Sequence, residues 1–190
     1  IRLAIVGCGR ISKNHFDSIE KHQDNVELVS ICDNHQKTLS EKQAKYKVNG
    51  YLDLSDMLIK EDLDLVAICT PSGIHAEQTK LCANHGVNVM TEKPMATRWE
   101  DGLSMVKACD EAAVRLLVVK QNRRNPTLQS LKRAITENRF GKIYMVHQNI
   151  FWNRSQEYYD QASWRGTWEY DGGAFMNQAS HYVDLLEWLI

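Results

Sequence analysis

Prolines are scarce, three in 190 residues, and Pro71, Pro94 and Pro126 all fall where an element ends. A missing N–H does no harm there, so the local signals for strands and helices are not interrupted. No apolar stretch approaches the roughly 20 residues that span a bilayer, and no signal-peptide pattern opens the chain. Charge of one sign is lacking too. Lys and Arg number 23 against 24 Asp and Glu, a net charge of -1, which offers no electrostatic grip on nucleic acid or an anionic membrane. The five cysteines (Cys8, Cys32, Cys69, Cys82, Cys109) are odd in number and form no C-x-x-C pair. Three of them sit in or beside apolar strand-like runs, so they read as buried, reduced thiols of a cytoplasmic protein, and no metal site is expected. There is no internal repeat and no low-complexity tract.

What is present is enough apolar residue, 43% of the chain, for one sizeable domain or one domain plus part of another. The chain opens without Met inside a strand-like run, Ile1 to Val6. It closes on the apolar helical run Leu185 to Ile190 with no capping residue. Both ends read as cut, and a further C-terminal part is expected.

Buried strands are expected at Leu3–Val6, Val26–Cys32, Leu63–Cys69, Val87–Met90 and Leu116–Val119. Helices are expected at Ser12–His22, Gln36–Lys47, Ile74–His85 and Arg98–Ala113. Near-continuous apolar strands alternating with helices imply an α/β domain with a parallel sheet covered on both faces. The pattern changes after about residue 125. Asn125-Pro126 opens a helix to about Asn138, and Phe140-Gly141 marks a turn. Ile143–Trp152 reads as a longer strand, Asn153–Tyr170 as an aromatic loop, and Gly172-Gly173 precede a final helix. One long strand cannot stand alone, so partner strands are required.

The first strand runs into Gly7-Cys8-Gly9-Arg10-Ile11-Ser12, a G-x-G-x-x-S loop that opens a helix. The first glycine permits a tight turn and the second lets backbone approach a pyrophosphate. The third position needs a small residue, which Ser12 supplies less well than Gly or Ala. The helix N-terminus offers free N–H groups to phosphates. The second strand ends in Asp33, whose carboxylate can accept from both ribose hydroxyls and would repel a 2′-phosphate. No Arg follows it, which favours NAD over NADP.

Two further segments end strands: Thr70-Pro71-Ser72-Gly73-Ile74-His75 and Thr91-Glu92-Lys93-Pro94. In an open parallel sheet, ligands bind beyond the strands' carboxyl ends, so both face the crevice of the glycine loop. Pro94 favours an extended Lys93, which could stabilise an alkoxide as hydride departs. A solvated surface lysine fits the position equally. In the last helix Asn177, His181 and Asp184 share a face; His181 could take a proton, and Asp184 could hold or charge-balance it. A core histidine has the same spacing. Gln121-Asn122-Arg123-Arg124 is a polar cluster just past the last strand, and Arg165 lies in the aromatic stretch, where an Arg fork suits phosphate or carboxylate.

This ordered set resembles the Gfo/Idh/MocA oxidoreductases. The resemblance runs through the whole chain and implies an NAD-binding Rossmann domain (1–122). The start of a substrate and oligomerisation domain with a mainly antiparallel sheet (123–190) would follow. It implies Lys93 and His181 as catalytic residues on either side of the reacting carbon, and a Lys93–Pro94 bond that is commonly cis. Cofactor contacts are implied at Gly7, Gly9, Arg10, Ile11, Asp33, Thr70, Pro71, His75, Glu92, Lys93 and Gln121. Substrate contacts are implied at Lys93, Asn122, Arg123, Arg165, Asn177 and His181.

Within the family, residues 121–128, 157–160, 164–169 and 172–184 are similar to the subgroup that oxidises the 3-hydroxyl of UDP-N-acetylglucosaminuronic acid with NAD. That subgroup acts in making diacetamido-uronic acids for O-antigen. For this chain the likeness implies a UDP-linked uronic sugar as partner, 2-oxoglutarate as a candidate recycling oxidant, and a homo-oligomer, a tetramer by resemblance. Many family members carry Asp where this chain has Asn177, and the subgroup shares the Asn. An amide cannot charge-stabilise an imidazolium, so His181 and Lys93 both stand as candidates for the base. A family enzyme on a free sugar or inositol, and a non-catalytic nucleotide sensor on this fold, are the rival readings. Lys93 with His181 argues against the sensor, which needs no proton-transfer pair.

Overall fold

Strand β1 (Arg2–Val6) is apolar on both faces because it lies inside a sheet covered from both sides. Leu3 and Ile5 enter one core layer with Phe16, Ile31, Leu39 and Ala67. Ala4 and Val6 enter the other with Met57, Val66, Ile68, Cys82 and Val89. Each large aliphatic side chain buried this way contributes about 1.5–3 kcal/mol. The computed structural model describes residues 1–190 and divides into two units, Ile1–Val118 and Val119–Ile190, against the boundary at 122/123 expected from the sequence.

In the first unit β1 is followed by α1 (Ser12–Lys21), β2 (Glu27–Cys32), α2 (Gln36–Tyr46), β3 (Asn49–Tyr51) and α3 (Leu54–Lys60). Then come β4 (Leu65–Ile68), α4 (His75–Asn84), β5 (Asn88–Thr91), α5 (Trp99–Glu111) and β6 (Leu116–Val118). All strand pairs are parallel, in the order β3-β2-β1-β4-β5-β6. This is the doubly wound order, and it reverses between β1 and β4, where such sheets bind ligands beyond their carboxyl ends. The strands and helices read from the sequence form, with ends displaced by at most two residues. Two elements that carry little periodic signal are β3 and α3. Strand β3 is a three-residue edge strand through Asn and Gly. Helix α3 starts at the cap Asp53, whose Oδ1 accepts from the Asp56 N–H at 3.0 Å, and it buries Leu54, Met57 and Leu58.

All five cysteines are buried as free thiols. Loss of water pushes Cys8, Cys32 and Cys82 up to about 12, and raises Cys69 and Cys109 as well.

The second unit holds α6 (Pro126–Thr136), α7 (Gln156–Asp160) and α8 (Ser180–Leu189). Asn125 caps α6, its Oδ1 accepting from the Thr127 N–H at 3.0 Å, with Pro126 in the first turn where its missing N–H is harmless. The expected strand at Ile143–Trp152 does not form, and neither does an antiparallel sheet; the one sheet is the parallel sheet of the first unit. A strand needs a neighbour for its N–H and C=O groups, and residues 119–190 provide none. Tyr144, Met145 and Phe151 are accordingly 84, 85 and 90% exposed. The final helix also differs: a π turn, Phe175–Ala179, precedes α8. No helix is long and apolar enough to cross a membrane.

Candidate active site

At the end of β1 the backbone N–H of Gly7 donates to the Cys32 carbonyl at 2.8 Å, and Gly7 has φ +86°. A Cβ at Gly7 would lie 2.8 Å from the Cys69 carbonyl carbon and 2.9 Å from its oxygen, whereas one at Gly9 would meet nothing within 4 Å. The loop is thus closed against the sheet at its first glycine and open at its second. Ser12 is fully buried, and its Oγ donates to the Gly9 carbonyl at 2.6 Å. The hydroxyl therefore ties the loop down, which an alanine could not do. Arg10 is exposed and Ile11 half-buried at the loop's tip. Helix α1 starts without a side-chain cap, which leaves its first N–H groups to another acceptor.

Asp33 Oδ2 accepts from the Cys8 N–H at 2.7 Å and Oδ1 from the His35 N–H at 2.8 Å. The carboxylate therefore fixes the glycine loop, and each oxygen keeps a lone pair for a ribose hydroxyl. The open side at Gly9, the uncapped helix and this carboxylate together fit an NAD adenosine diphosphate half.

Beyond β4, Thr70 Oγ1 donates to Gln78 Oε1 at 2.6 Å, and Pro71 leads into the 3₁₀ turn Ser72–Ile74. His75, expected among the cofactor contacts, is wholly buried instead. Its Nδ1 lies 3.0 Å from the Pro94 carbonyl and its Nε2 2.9 Å from that of Thr70. Burial pushes its imidazole below the usual histidine value, against the upward pull of the two carbonyls. Both ring nitrogens face the protein, so His75 joins the loops beyond β4 and β5 and has none left for a ligand.

Glu92 is also turned inward. Its Oε1 lies 2.8 Å from His15 Nε2, and its Oε2 accepts from the Lys93 N–H at 3.2 Å. The side chains of His15 and Glu92 are only 13% and 8% exposed. Lys93 itself is half-buried, and the Lys93–Pro94 peptide is cis, as the resemblance implies.

In the second unit Asn177 and His181 are buried. The Asn177 side-chain amide donates to Asp171 Oδ1, and Asp171 Oδ2 accepts from the Gly166 N–H at 2.9 Å. Asp171, buried and unremarked in the sequence, thus sets which way the Asn177 amide faces. Gly173 has the Trp168 ring as its neighbour, 3.0 Å from where a Cβ would stand. Gln121 is exposed and Asn122 half-buried in the 3₁₀ turn Gln121–Arg124.

Asp184, expected to hold or charge-balance His181, has Arg123 and Lys120 as partners. Its carboxylate takes Arg123 in a bidentate pair, Nε to Oδ2 at 2.8 Å and Nη2 to Oδ1 at 2.6 Å, with Lys120 Nζ 3.6 Å away. Arg123, expected on the substrate, therefore has much of its fork engaged within the protein. Arg165 is held differently. Its guanidinium lies 4.4 Å from the Tyr158 ring centroid and 5.0 Å from that of Trp164. Its buried Nε has no partner. Rings orient this cation while leaving it to an anion.

The Asp184 pair makes stability acid-sensitive. Burial raises the carboxyl, but the Arg123 hydrogen bond and the Lys120 and Arg123 charges outweigh it, so it titrates below the usual carboxylate value. A depressed folded-state value contributes stability above the unfolded value of about 4, lost as pH falls through the folded one. Asp184→Asn is expected to cost about 1–3 kcal/mol at neutral pH. The difference from wild type should close below pH of about 4. Urea unfolding at both pH values measures it; an equal cost at both would exclude the ion pair as its source.

Sheet order, glycine loop and strand-end acid define a dinucleotide-binding Rossmann domain. Residues 1–120 match the family model described as the oxidoreductase family, NAD-binding Rossmann fold, and residues 128–190 match the GFO/IDH/MocA C-terminal domain. The chain belongs to the Gfo/Idh/MocA oxidoreductase family. It is similar to the WlbA dehydrogenase from Chromobacterium violaceum, solved in complex with NADH and UDP-GlcNAcA, at 62% identity and TM-score 0.97. That match covers 100% of this chain and 55% of the other. The Bordetella pertussis WlbA dehydrogenase, also in complex with NADH and UDP-GlcNAcA, is 60% identical with TM-score 0.97, covering 100% and 59%. A 4-carboxy-2-hydroxymuconate-6-semialdehyde dehydrogenase of a Sphingobium species is 35% identical over 81% of this chain and 49% of its own length. The chain thus spans about half the length of these relatives.

Proposed function

We propose that the protein to which this chain belongs uses NAD to oxidise the 3-hydroxyl of UDP-N-acetylglucosaminuronic acid, a step toward diacetamido-uronic sugars of O-antigen. The observation that carries this is the 60–62% identity, across the whole chain, to two dehydrogenases solved with NADH and UDP-GlcNAcA. The residues support it. In the first unit the Gly7–Ile11 loop and the α1 N-terminus would hold the diphosphate, and Asp33 the adenosine ribose, with Thr70 and Pro71 as further cofactor contacts; Gln121, in the second unit, is a further candidate.

When bound, NAD supplies the acceptor for the hydride leaving the sugar carbon. His181 takes the hydroxyl proton, and the Lys93 ammonium stabilises the oxyanion as it develops. The products balance as keto sugar, NADH and one proton. Asn177, fixed by Asp171, orients its neighbours without adding charge. Asn122 contributes a polar contact to the sugar, and Arg165, ring-held with an unpartnered Nε, receives the diphosphate or carboxylate. Arg123 acts through Asp184.

The full-length protein is expected to reduce NAD with UDP-GlcNAcA and not with free glucuronic acid, N-acetylglucosamine or inositol. Reduction with a free polyol alone would overturn the nucleotide-sugar reading. Tight NAD binding with no turnover on any of them would point to a sensor. Return of the NADH absorbance to baseline on adding 2-oxoglutarate would extend the reading to cofactor recycling.

A further inference from the structure

We infer that His15 is a positioning residue for Lys93, acting through the Glu92 carboxylate. The inference rests on the role proposed above for Lys93. His15 lies on α1, one turn past the glycine loop, and Glu92 lies one residue beyond β5. The two are 77 positions apart in the chain, yet His15 Nε2 and Glu92 Oε1 meet at 2.8 Å with both side chains largely buried. The second carboxylate oxygen accepts from the Lys93 N–H at 3.2 Å. The Glu92 N–H donates to the Ile68 carbonyl at 2.9 Å, which extends the β5–β4 ladder one residue past the strand.

Two anchors of the backbone at Lys93 therefore pass through Glu92, and the Glu92 side chain is held at its other oxygen by His15. A buried carboxylate is a poor way to gain stability, because its desolvation offsets most of what its hydrogen-bond partners return. What it supplies is geometry: a carboxylate divided between two donors has one orientation. Since α1 begins at the loop proposed to hold the diphosphate, the helix that receives the cofactor also sets the turn that presents the lysine. Displacement of a reacting group by about an ångström can lower turnover by as much as about 10²-fold.

The test uses the full-length protein with His15 changed to Ala, Phe and Gln. Phe keeps the ring volume without the donor, and it decides the matter should His15→Ala fail to fold. Gln places its side-chain N–H₂ near the position of the imidazole Nε2. Amide hydrogen exchange over the Thr91–Met95 peptide, measured without cofactor, reads the turn directly. Steady-state turnover of UDP-GlcNAcA reads the consequence.

For Ala and Phe, exchange at the Lys93 amide should rise, and kcat should fall by about tenfold or more while the sugar KM stays within about threefold. Gln should recover most of kcat and slow the exchange again. Unchanged exchange, or faster exchange with kcat within about twofold of wild type, would overturn the inference. A drop in kcat that Gln does not recover would overturn it too. If the wild-type protein does not turn over UDP-GlcNAcA, the functional reading fails, and the exchange measurement still judges whether His15 fixes the turn.

Discussion

Replacing Lys93 by Ala should lower kcat on UDP-GlcNAcA by roughly 10²–10⁴-fold, the usual loss when a positioned proton-transfer or oxyanion-stabilising group is removed. That corresponds to about 3–5 kcal/mol of transition-state stabilisation. Lys93 is half-buried at the end of β5, its backbone N–H held by Glu92 and the following proline buried. The side chain is therefore presented from a fixed base. NAD affinity should change far less than kcat, because the glycine loop and Asp33 lie at the ends of other strands. His181→Ala should cost a comparable factor. Its burial in α8, with the Asn177 amide fixed by Asp171, suits an imidazole that must keep one orientation. Stopped-time product assays and NAD titrations on each variant separate the two effects. Turnover within a few-fold of wild type in either variant would remove that residue from the mechanism.

The two glycines of the loop should fail in different ways. Gly7→Ala puts a methyl 2.8–2.9 Å from the Cys69 carbonyl. Neither side can give: the Cys69 N–H donates to the Val6 carbonyl at 2.7 Å, and the Gly7 N–H to that of Cys32 at 2.8 Å. The positive φ adds about 1–2 kcal/mol for any L side chain, and overpacking adds about 1–3 kcal/mol. A total loss of about 2–5 kcal/mol should appear as a lowered denaturant midpoint, with NAD binding lost alongside. Gly9→Ala meets nothing within 4 Å, so stability should hold within about 0.5 kcal/mol. NAD affinity should nonetheless fall by tenfold or more, because the methyl occupies the approach of a pyrophosphate. Equal affinity in Gly9→Ala and wild type would mean that the diphosphate does not lie over this loop.

The parts of the molecule that were readable from its sequence are those whose cause is local. An apolar run, two glycines and a serine in six residues specify strand, turn and helix start without reference to anything distant. An acid at the end of the next strand completes the pattern. The strand expected at Ile143–Trp152 does not form, for the complementary reason. Its alternation of side chains describes what the segment needs, and ladder partners lie outside anything a local pattern supplies. His15 could not be singled out, since nothing in a helix sequence points to a carboxylate 77 residues away. Asp171 has the same history: it was one acid among 24 Asp and Glu until burial against Asn177 gave it a task. His75 and Asp184 carried sound motif positions, and partners brought in by the fold engaged both: two carbonyls took the ring nitrogens that a cofactor was expected to use, and Arg123 took the carboxylate expected to face His181.

The burial of the five thiols gives the native protein a chemical silence. A thiolate is the reactive form, and each of these groups is held far from releasing its proton at neutral pH. Cys8 sits inside the glycine loop and Cys69 directly under Gly7, both in the core layer that packs Phe16 of α1 and Leu39 of α2 on the sheet, so an oxidant or alkylating reagent could reach them only after that layer had opened. Oxidative loss of function at this loop would therefore scale with how often that layer opens.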